Sequence, residues 1–316
     1  MAILSADHHF SIGHEHVISG KPCQDHALSA FDGSMACAVI SDGCSTGGET
    51  DMGARVLTFA SAAAIKAYHS RHKGVMRPPD PNEYGVVTEV GAQQRIVLGT
   101  VRQALGLARD DMLATCGYAF VTNEGGVMHL AGDGVMAMKS REGMIAMSQF
   151  DWGKVPFYPQ YREEADGIGY IREHGGDPKT IALTEGQWVY TPQNKDKFLH
   201  VGDVAWTVED GMRGITRLLT KEAINDQLAA VAVFTDGVLR VDGVDWKDVV
   251  VALMKFKTTE GLFVKRRLNR ALKDFRAHGK GPMDDIAYAV IHVEPEQRTE
   301  QGEANGNPDQ NTQGTT

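Results

Sequence analysis

The 316-residue chain has only four cysteines, Cys23, Cys37, Cys44 and Cys116, and none forms a CxxC pair. Reduced thiols in a cytoplasmic protein fit that usage better than a disulfide framework. No apolar run approaches the roughly 20 residues needed to span a bilayer. The opening MAILSADHHF has neither the basic start nor the apolar core of a secretory leader, so none is expected. Basic charge is also short: Lys and Arg number 32 against 41 Asp and Glu, for a formal net charge of −9. No basic face is evident, which argues against nucleic acid or an anionic membrane as partner. What remains, 42% hydrophobic and 23% charged residues, is ordinary globular composition.

The strongest positive signal is a repeated junction. Three short apolar stretches run into Asp-Gly, at Val39-Ile40-Ser41-Asp42-Gly43, Leu130-Ala131-Gly132-Asp133-Gly134 and Val233-Phe234-Thr235-Asp236-Gly237. Near the C-terminus the order reverses, and Asp284-Asp285 opens the apolar run Ile286 to Ile291. Buried strands read as short apolar runs bounded by turn residues, so each Asp stands where a strand meets a loop. A carboxylate there is costly unless it is solvated, hydrogen-bonded or bound to a cation. Four such ends on one edge would make an oxygen-rich pocket suited to Mg²⁺ or Mn²⁺. Taken singly, each Asp-Gly also reads as a plain turn.

The pattern along the chain predicts a strand-like segment over 4–18 and a hairpin over 26–41 around Asp32-Gly33. A helix is expected from Thr50 to Tyr68, its inner face carrying Met52, Val56, Phe59, Ala63 and Ala67. A loop over 73–85 and a second helix from Glu89 to Met112 follow. Residues 116–148 read as a meander, and 149–185 as an irregular, flap-like surface insertion. Strands are expected at Gln187–Thr191, Asp203–Val208 and Ala229–Thr235, helices at Asp245–Phe256 and Glu260–Ala277, and a last strand at Ile286–Val293. The order is α+β rather than regular βαβ alternation: a sandwich of two mainly antiparallel sheets with helices outside. The histidines His8, His9, His14 and His16 read as strand positions, and Met136, Met138, Met144 and Met147 as core and hairpin filling.

In order and surroundings these acids resemble the metal-dependent protein phosphatase family of type 2C, in its compact bacterial branch. Gly20-Lys21-Pro22-Cys23-Gln24-Asp25 resembles its first motif, Ser41-Asp42-Gly43 the second, Ala131-Gly132-Asp133 its Gly-Asp strand end, Thr235-Asp236-Gly237 the late Asp-Gly, and Asp284-Asp285 the final Asp-Asn. The resemblance implies a four-layer α-β-β-α sandwich over 1–293; the remainder, 294–316, has no large apolar residue after Pro295 and reads as a disordered tail. The resemblance also implies a protein serine/threonine phosphatase that uses water bridging two Mg²⁺ or Mn²⁺ ions, acting on a phosphoprotein target of a Ser/Thr kinase. By position, Asp42 would bridge the ions and the Gly43 carbonyl bind one. Asp236 and Asp284 would complete the other shell, and Asp25 would hold metal-bound water. Asp42, Asp236 and Asp25 are thus the expected catalytic acids, and Asp133 a weak third metal position.

The chain also departs from the family. Cys44 stands where eukaryotic members carry a His proposed as general acid, and one of His14, His16 and His26 is a candidate substitute. Gly20 replaces the phosphate-clamping arginine, leaving Lys21 as a point charge. Gln24 replaces a carboxylate, and Asp285 stands at an Asn position as a further phosphate-binding candidate. Cys44 as a nucleophile is disfavoured because no tight phosphate cradle opens a helix there. Two other functions stay open: a catalytically weak or silent phosphatase-like binding or scaffold protein, and a metal-dependent hydrolase acting on a nucleotide or another phosphoester.

Overall fold

The computed structural model describes residues 2–45, 51–72, 85–153, 156–163, 183–194 and 197–295. Its strands are β1 (Ala2–Ser11), β2 (His26–Phe31), β3 (Met35–Ser41), β4 (Cys116–Thr122), β5 (Gly125–Ala131), β6 (Gly134–Ser140), β7 (Ile145–Asp151), β8 (Leu183–Tyr190), β9 (Phe198–Trp206), β10 (Ile215–Leu219), β11 (Leu228–Phe234) and β12 (Ile286–Pro295). Its helices are α1 (His14–Ser19), α2 (Met52–His72), α3 (Gly85–Leu105), α4 (Val208–Arg213), α5 (Trp246–Leu253) and α6 (Phe263–Arg276). One sheet runs β1-β12-β11-β6-β7-β8-β9 and the other β10-β5-β4-β3-β2. Every pairing between these strands is antiparallel.

The layers follow from what each strand must cover. All seven residues of β3 are buried, so both faces of this antiparallel strand are roofed. One face packs in the inter-sheet core with Ile40, Leu130, Phe150, Val233 and Ile291. The other packs through Cys37 and Val39 against Leu57 and Ile65 of α2 and Val90 and Leu98 of α3. On the opposite side, α5 and α6 cover Phe234, Tyr288 and Val290. Each such large apolar side chain contributes about 1.5–3 kcal/mol on full burial. The expected α-β-β-α sandwich is therefore the architecture of the chain. Among the described residues no helix is long and apolar enough to cross a membrane.

Several local expectations are corrected. The segment 4–18 is not one strand: β1 stops at Ser11, and 14–19 turns into α1. That turn is fixed from afar, as His14 N donates to Pro282 O and Glu15 N to Met283 O, both at 3.0 Å. The buried side of α2 is Gly53, Leu57, Ser61, Ala64 and Ile65, while Phe59 is 58% exposed. The true stripe is rotated from the expected one because small residues let α2 lie close to the sheet. Phe59 instead meets the His26 ring, centroids 5.6 Å apart. The second helix starts at Gly85 and ends at Leu105, with a separate turn at Asp110–Met112. β10 was not expected. It exists by pairing with β5, Ile215 opposite Leu130.

The expected insertion over 149–185 overlaps β7 and β8, and part of it is core. Trp152, Phe157, Tyr158 and Tyr161 are buried between the sheets. Its stretch 164–182 lies outside the described residues, as does most of the expected loop 73–85. The tail expected from 294 is drawn two residues early, since Glu294 and Pro295 still pair with Ile3 and Ala2 in β12. Residues 296–316 lie outside the described residues.

Candidate metal centre

Asp42 follows the last residue of β3, and its backbone is laced to the loop entering β4. Thr115 N donates to Asp42 O at 2.8 Å, Asp42 N to Thr115 Oγ1 at 3.2 Å, and Cys44 N to Leu113 O at 2.9 Å. Asp25 precedes β2 and is buried. Its Oδ2 accepts a 2.6 Å hydrogen bond from Thr235 Oγ1, at the end of β11. The next residue, Asp236, begins a short 3-10 turn. A Cβ at Gly237 would lie 1.7 Å from the Asp285 carbonyl oxygen, so only glycine lets this turn meet the start of β12.

Asp133 occupies the turn between β5 and β6. A Cβ at Gly132 would lie 2.6 Å from Thr115 Cβ. Glycine there, at φ 112°, holds the turn against the loop entering β4, to which the Asp42 backbone is hydrogen-bonded. Gly-Asp-Gly thus carries the chain from one sheet to the other rather than closing a hairpin. It puts Asp133 on the same edge, with Oδ1 buried and without a hydrogen-bond partner.

The electrostatics report how closely these acids meet. Burial pushes the Asp42 carboxyl well above its usual range, and the charges of Asp25, Asp236 and Asp133 add to the shift. Asp25 is likewise raised by burial, with Asp285 and Asp236 raising it and hydrogen bonds to Asp42 and Thr235 opposing. Asp133 is pushed up to about 8 by burial and then by Asp236. Asp236 is pushed up to about 6 by burial and then by Asp284. Asp42, Asp133, Asp236 and Asp284 keep partial solvent access, so the recess can be entered.

An all-oxygen set of mutually repelling carboxylates, one with an orphaned buried oxygen, fits a hard divalent cation. Among the described residues, no group of three His, Cys, Asp or Glu is arranged to hold a metal ion. An ion here could draw on these carboxylates, the Gly43 carbonyl and water.

Asp284 faces a cation that the sequence reading missed. Arg240 Nη1 donates to Asp284 Oδ2 at 2.5 Å, and its Nη2 to both Glu15 oxygens at 3.2 Å. Its signal was its place four residues after Asp236, within reach of the same end of the sheet. Lys21 donates to Ser45 O at 3.0 Å, beside the loop that follows Gly43.

Asp285 corrects its expected role. It points inward, and its oxygens accept from Gly13 N at 2.7 Å, Gln24 N at 2.6 Å and His16 Nδ1 at 2.8 Å. A saturated, buried carboxylate does not receive an anionic phosphate; it ties α1 and the Gln24-Asp25 segment to β12. That bond also occupies His16. His26 bonds Thr58 Oγ1 at 2.7 Å, and burial, with Arg55 next, lowers it to about 4, so it stays neutral near pH 7 and cannot serve as a general acid. Cys23 is pushed up by burial and by Asp25 and Asp285, against a reactive thiolate. Tyr158, from the expected flap, reaches the site instead: it bonds the Cys44 thiol, and burial, Cys44, Asp42 and Asp133 all raise its hydroxyl. Nothing in the aperiodic sequence around Tyr158 signalled this.

The family model described as Protein phosphatase 2C matches residues 12–153, the stretch that carries Asp25, Asp42 and Asp133. No curated protein matches the chain. Among solved structures, the serine-threonine phosphatase 2C of Toxoplasma gondii is 12% identical, with a TM-score of 0.52 over 92% of this chain and 95% of that one. A bacterial serine phosphatase bearing an arginine-to-lysine mutation is 12% identical, with a TM-score of 0.50 over 93% of this chain and 99% of that one. The catalytic domain of the serine/threonine phosphatase PstP, solved with two manganese ions, is 12% identical, with a TM-score of 0.47 over 93% of this chain and all of that one.

Proposed function

We propose that this chain is a protein phosphatase of type 2C, a serine/threonine phosphatase that hydrolyses phosphoserine and phosphothreonine in proteins targeted by Ser/Thr kinases. The observation that carries the reading is the convergence of Asp25, Asp42, Asp133 and Asp236 on one edge: burial raises all four carboxyls, the charges of Asp25, Asp236 and Asp133 raise Asp42 further, and hydrogen bonds tie Asp42 to Asp25 and Asp236. Two Mg²⁺ or Mn²⁺ ions held there would lower the pKa of a shared water and offset charge on the attacking and leaving oxygens.

The chain's own residues divide the remaining work. Asp42 and the Gly43 carbonyl would hold one side of the metal pair, and Asp236 and Asp284 the other. Asp25, fixed by Thr235, would orient the attacking water rather than act as nucleophile. Asp133 would keep a weaker ion with mostly water ligands. Arg240, half-exposed beside Asp284, offers guanidinium donors to phosphate oxygens, a fork that Lys21 lacks. Tyr158, bonded to the Cys44 thiol and facing Asp42 and Asp133, stands beside the recess on the flap side.

One observation favours the second reading, a weak or silent phosphatase-like binding protein. The Arg240–Asp284 ion pair neutralises one of the expected ligands. Mn²⁺-dependent turnover of p-nitrophenyl phosphate and of a phosphothreonine peptide decides between the two. Turnover lost in Asp42→Ala supports the enzyme. No turnover in the parent chain, with Mn²⁺ bound or not, supports the silent protein.

A further inference from the structure

A cleft of about 520 Å³ adjoins the carboxylates from behind, between α1, the end of α6 and the loop entering β12. It shares a wall with the metal centre. Met283 lines the cleft and Asp284 belongs to the acids, and Gly13 lines the cleft while its N–H is held by Asp285. Its chemistry is the reverse of the acidic recess. The charged lining groups are Arg276 and Lys280 against a single acid, Asp242, with the His14 imidazole beside them. Among the described residues, the Arg276 guanidinium has no hydrogen-bond or ion-pair partner. Lys280 donates one bond, to Gly243 O at 2.6 Å, and an ammonium has three to give. Val17 and Met283 add apolar surface to the lining. Val17 is 58% exposed and its neighbour Ile18 72%, although a six-residue helix has few apolar side chains to spare for solvent.

We propose that this cleft docks an acidic, apolar-containing segment flanking the phosphorylated residue of the substrate protein. The proposal rests on the phosphatase reading of the adjoining site. An acidic segment is repelled from the carboxylate recess, so the cations of the adjoining cleft, Arg276 and Lys280, are where its charge is complemented. An extended chain advances about 3.3–3.6 Å per residue, so a few residues carry a substrate from one side of the shared wall to the other. Neither Arg276 nor Lys280 belongs to the catalytic machinery. Their part is to choose substrates and speed encounter, as rim charges do.

The test uses the full chain and two fluorescent peptides, each with one threonine, flanked on both sides by Glu and Leu or by Lys and Leu. Binding by anisotropy without added metal is compared for the parent chain, Arg276→Glu/Lys280→Glu and the milder Arg276→Gln. The acidic peptide binds the parent chain in preference to the basic one. Charge reversal weakens that binding about tenfold, as loss of one or two charge-assisted contacts does, and added salt weakens it further. In turnover, KM for the phosphorylated acidic peptide rises by a similar factor while p-nitrophenyl phosphate hydrolysis is unchanged. Equal binding of the acidic peptide by all three proteins overturns the proposal. A charge-dependent preference in a chain that hydrolyses nothing keeps the docking site and removes the phosphatase reading, so the two fail separately.

Discussion

Thr235 donates its hydroxyl to Asp25 across 210 residues of sequence, at 2.6 Å, and the same oxygen accepts from Ala287 N at 2.9 Å. One hydroxyl thus joins the segment before β2, the end of β11 and the start of β12. Thr235→Val leaves the Asp25 carboxylate short of a donor and Ala287 N unpaired. Lost bonds of this kind cost about 1–3 kcal/mol each. Activity is expected to fall at least tenfold with a raised Mn²⁺ requirement, and Thr235→Ser to restore most of it. Equal Mn²⁺ titration curves for the parent chain and the valine variant would leave Thr235 a packing residue.

Asp42→Ala and Asp236→Ala are expected to abolish metal-dependent turnover and leave the chain folded. Each removes a buried charge that repels its neighbours, so the metal-free variants hold or gain thermal stability. Cys44→Ser is expected to keep most activity, because water and not a thiolate attacks phosphorus. Near-parental turnover of either alanine variant at saturating Mn²⁺ would sink the assignment, and a trapped phosphocysteine would replace it with a thiol mechanism.

Asp285 separates a structural from a catalytic acid. Asp285→Ala strands Gly13 N and Gln24 N and frees His16, so it unlocks α1 from β12. Breaking a buried charge network of this kind costs about 3–5 kcal/mol, a thermal midpoint roughly 5 °C lower or more. Asp285→Asn keeps the size and one acceptor and is expected to lose much less. An alanine variant as stable as the parent, but with a raised KM for phosphate esters, would return Asp285 to the phosphate-binding role.

The strand ends were legible because an apolar run closing on Asp-Gly is a local signal, and Asp42, Asp133 and Asp236 all lie where that signal put them. The layer order was legible for the same reason: runs such as Ala36 to Ile40 need cover on both faces. What escaped was decided at long range. α1 forms because carbonyls near residue 282 receive its N–H groups. β10 forms because β5 needs a partner. Asp285 turns inward because three donors from other segments wait for it. Arg240 and Tyr158 enter the site through tertiary packing, and neither carries a pattern that names its destination. The α2 stripe was misplaced because helical spacing fits several rotations, and only the alanines and Gly53 facing the sheet select one.

Asp133 gives the sharpest test, because its two readings differ in the pH slope and the Mn²⁺ response they predict. In the metal-free chain its folded-state pKa, about 8, lies above the ordinary 3.8, so the folded state holds a proton that the unfolded chain has released. That contribution to stability is fully present below about pH 4 and is lost as pH rises through about 8. Asp236, at about 6, acts in the same direction over a narrower window. The metal-free thermal midpoint is therefore expected to fall from pH 5 to pH 8. Saturating Mn²⁺ should flatten or reverse the fall, since the ion binds the deprotonated acids. Asp133→Asn removes one titrating group: its metal-free midpoint should fall less over the same range, its Mn²⁺ stabilisation should shrink, and its turnover should drop across the Mn²⁺ titration. A variant with the parent's pH slope and turnover at every Mn²⁺ concentration would reduce Asp133 to the residue that closes a Gly-Asp-Gly turn.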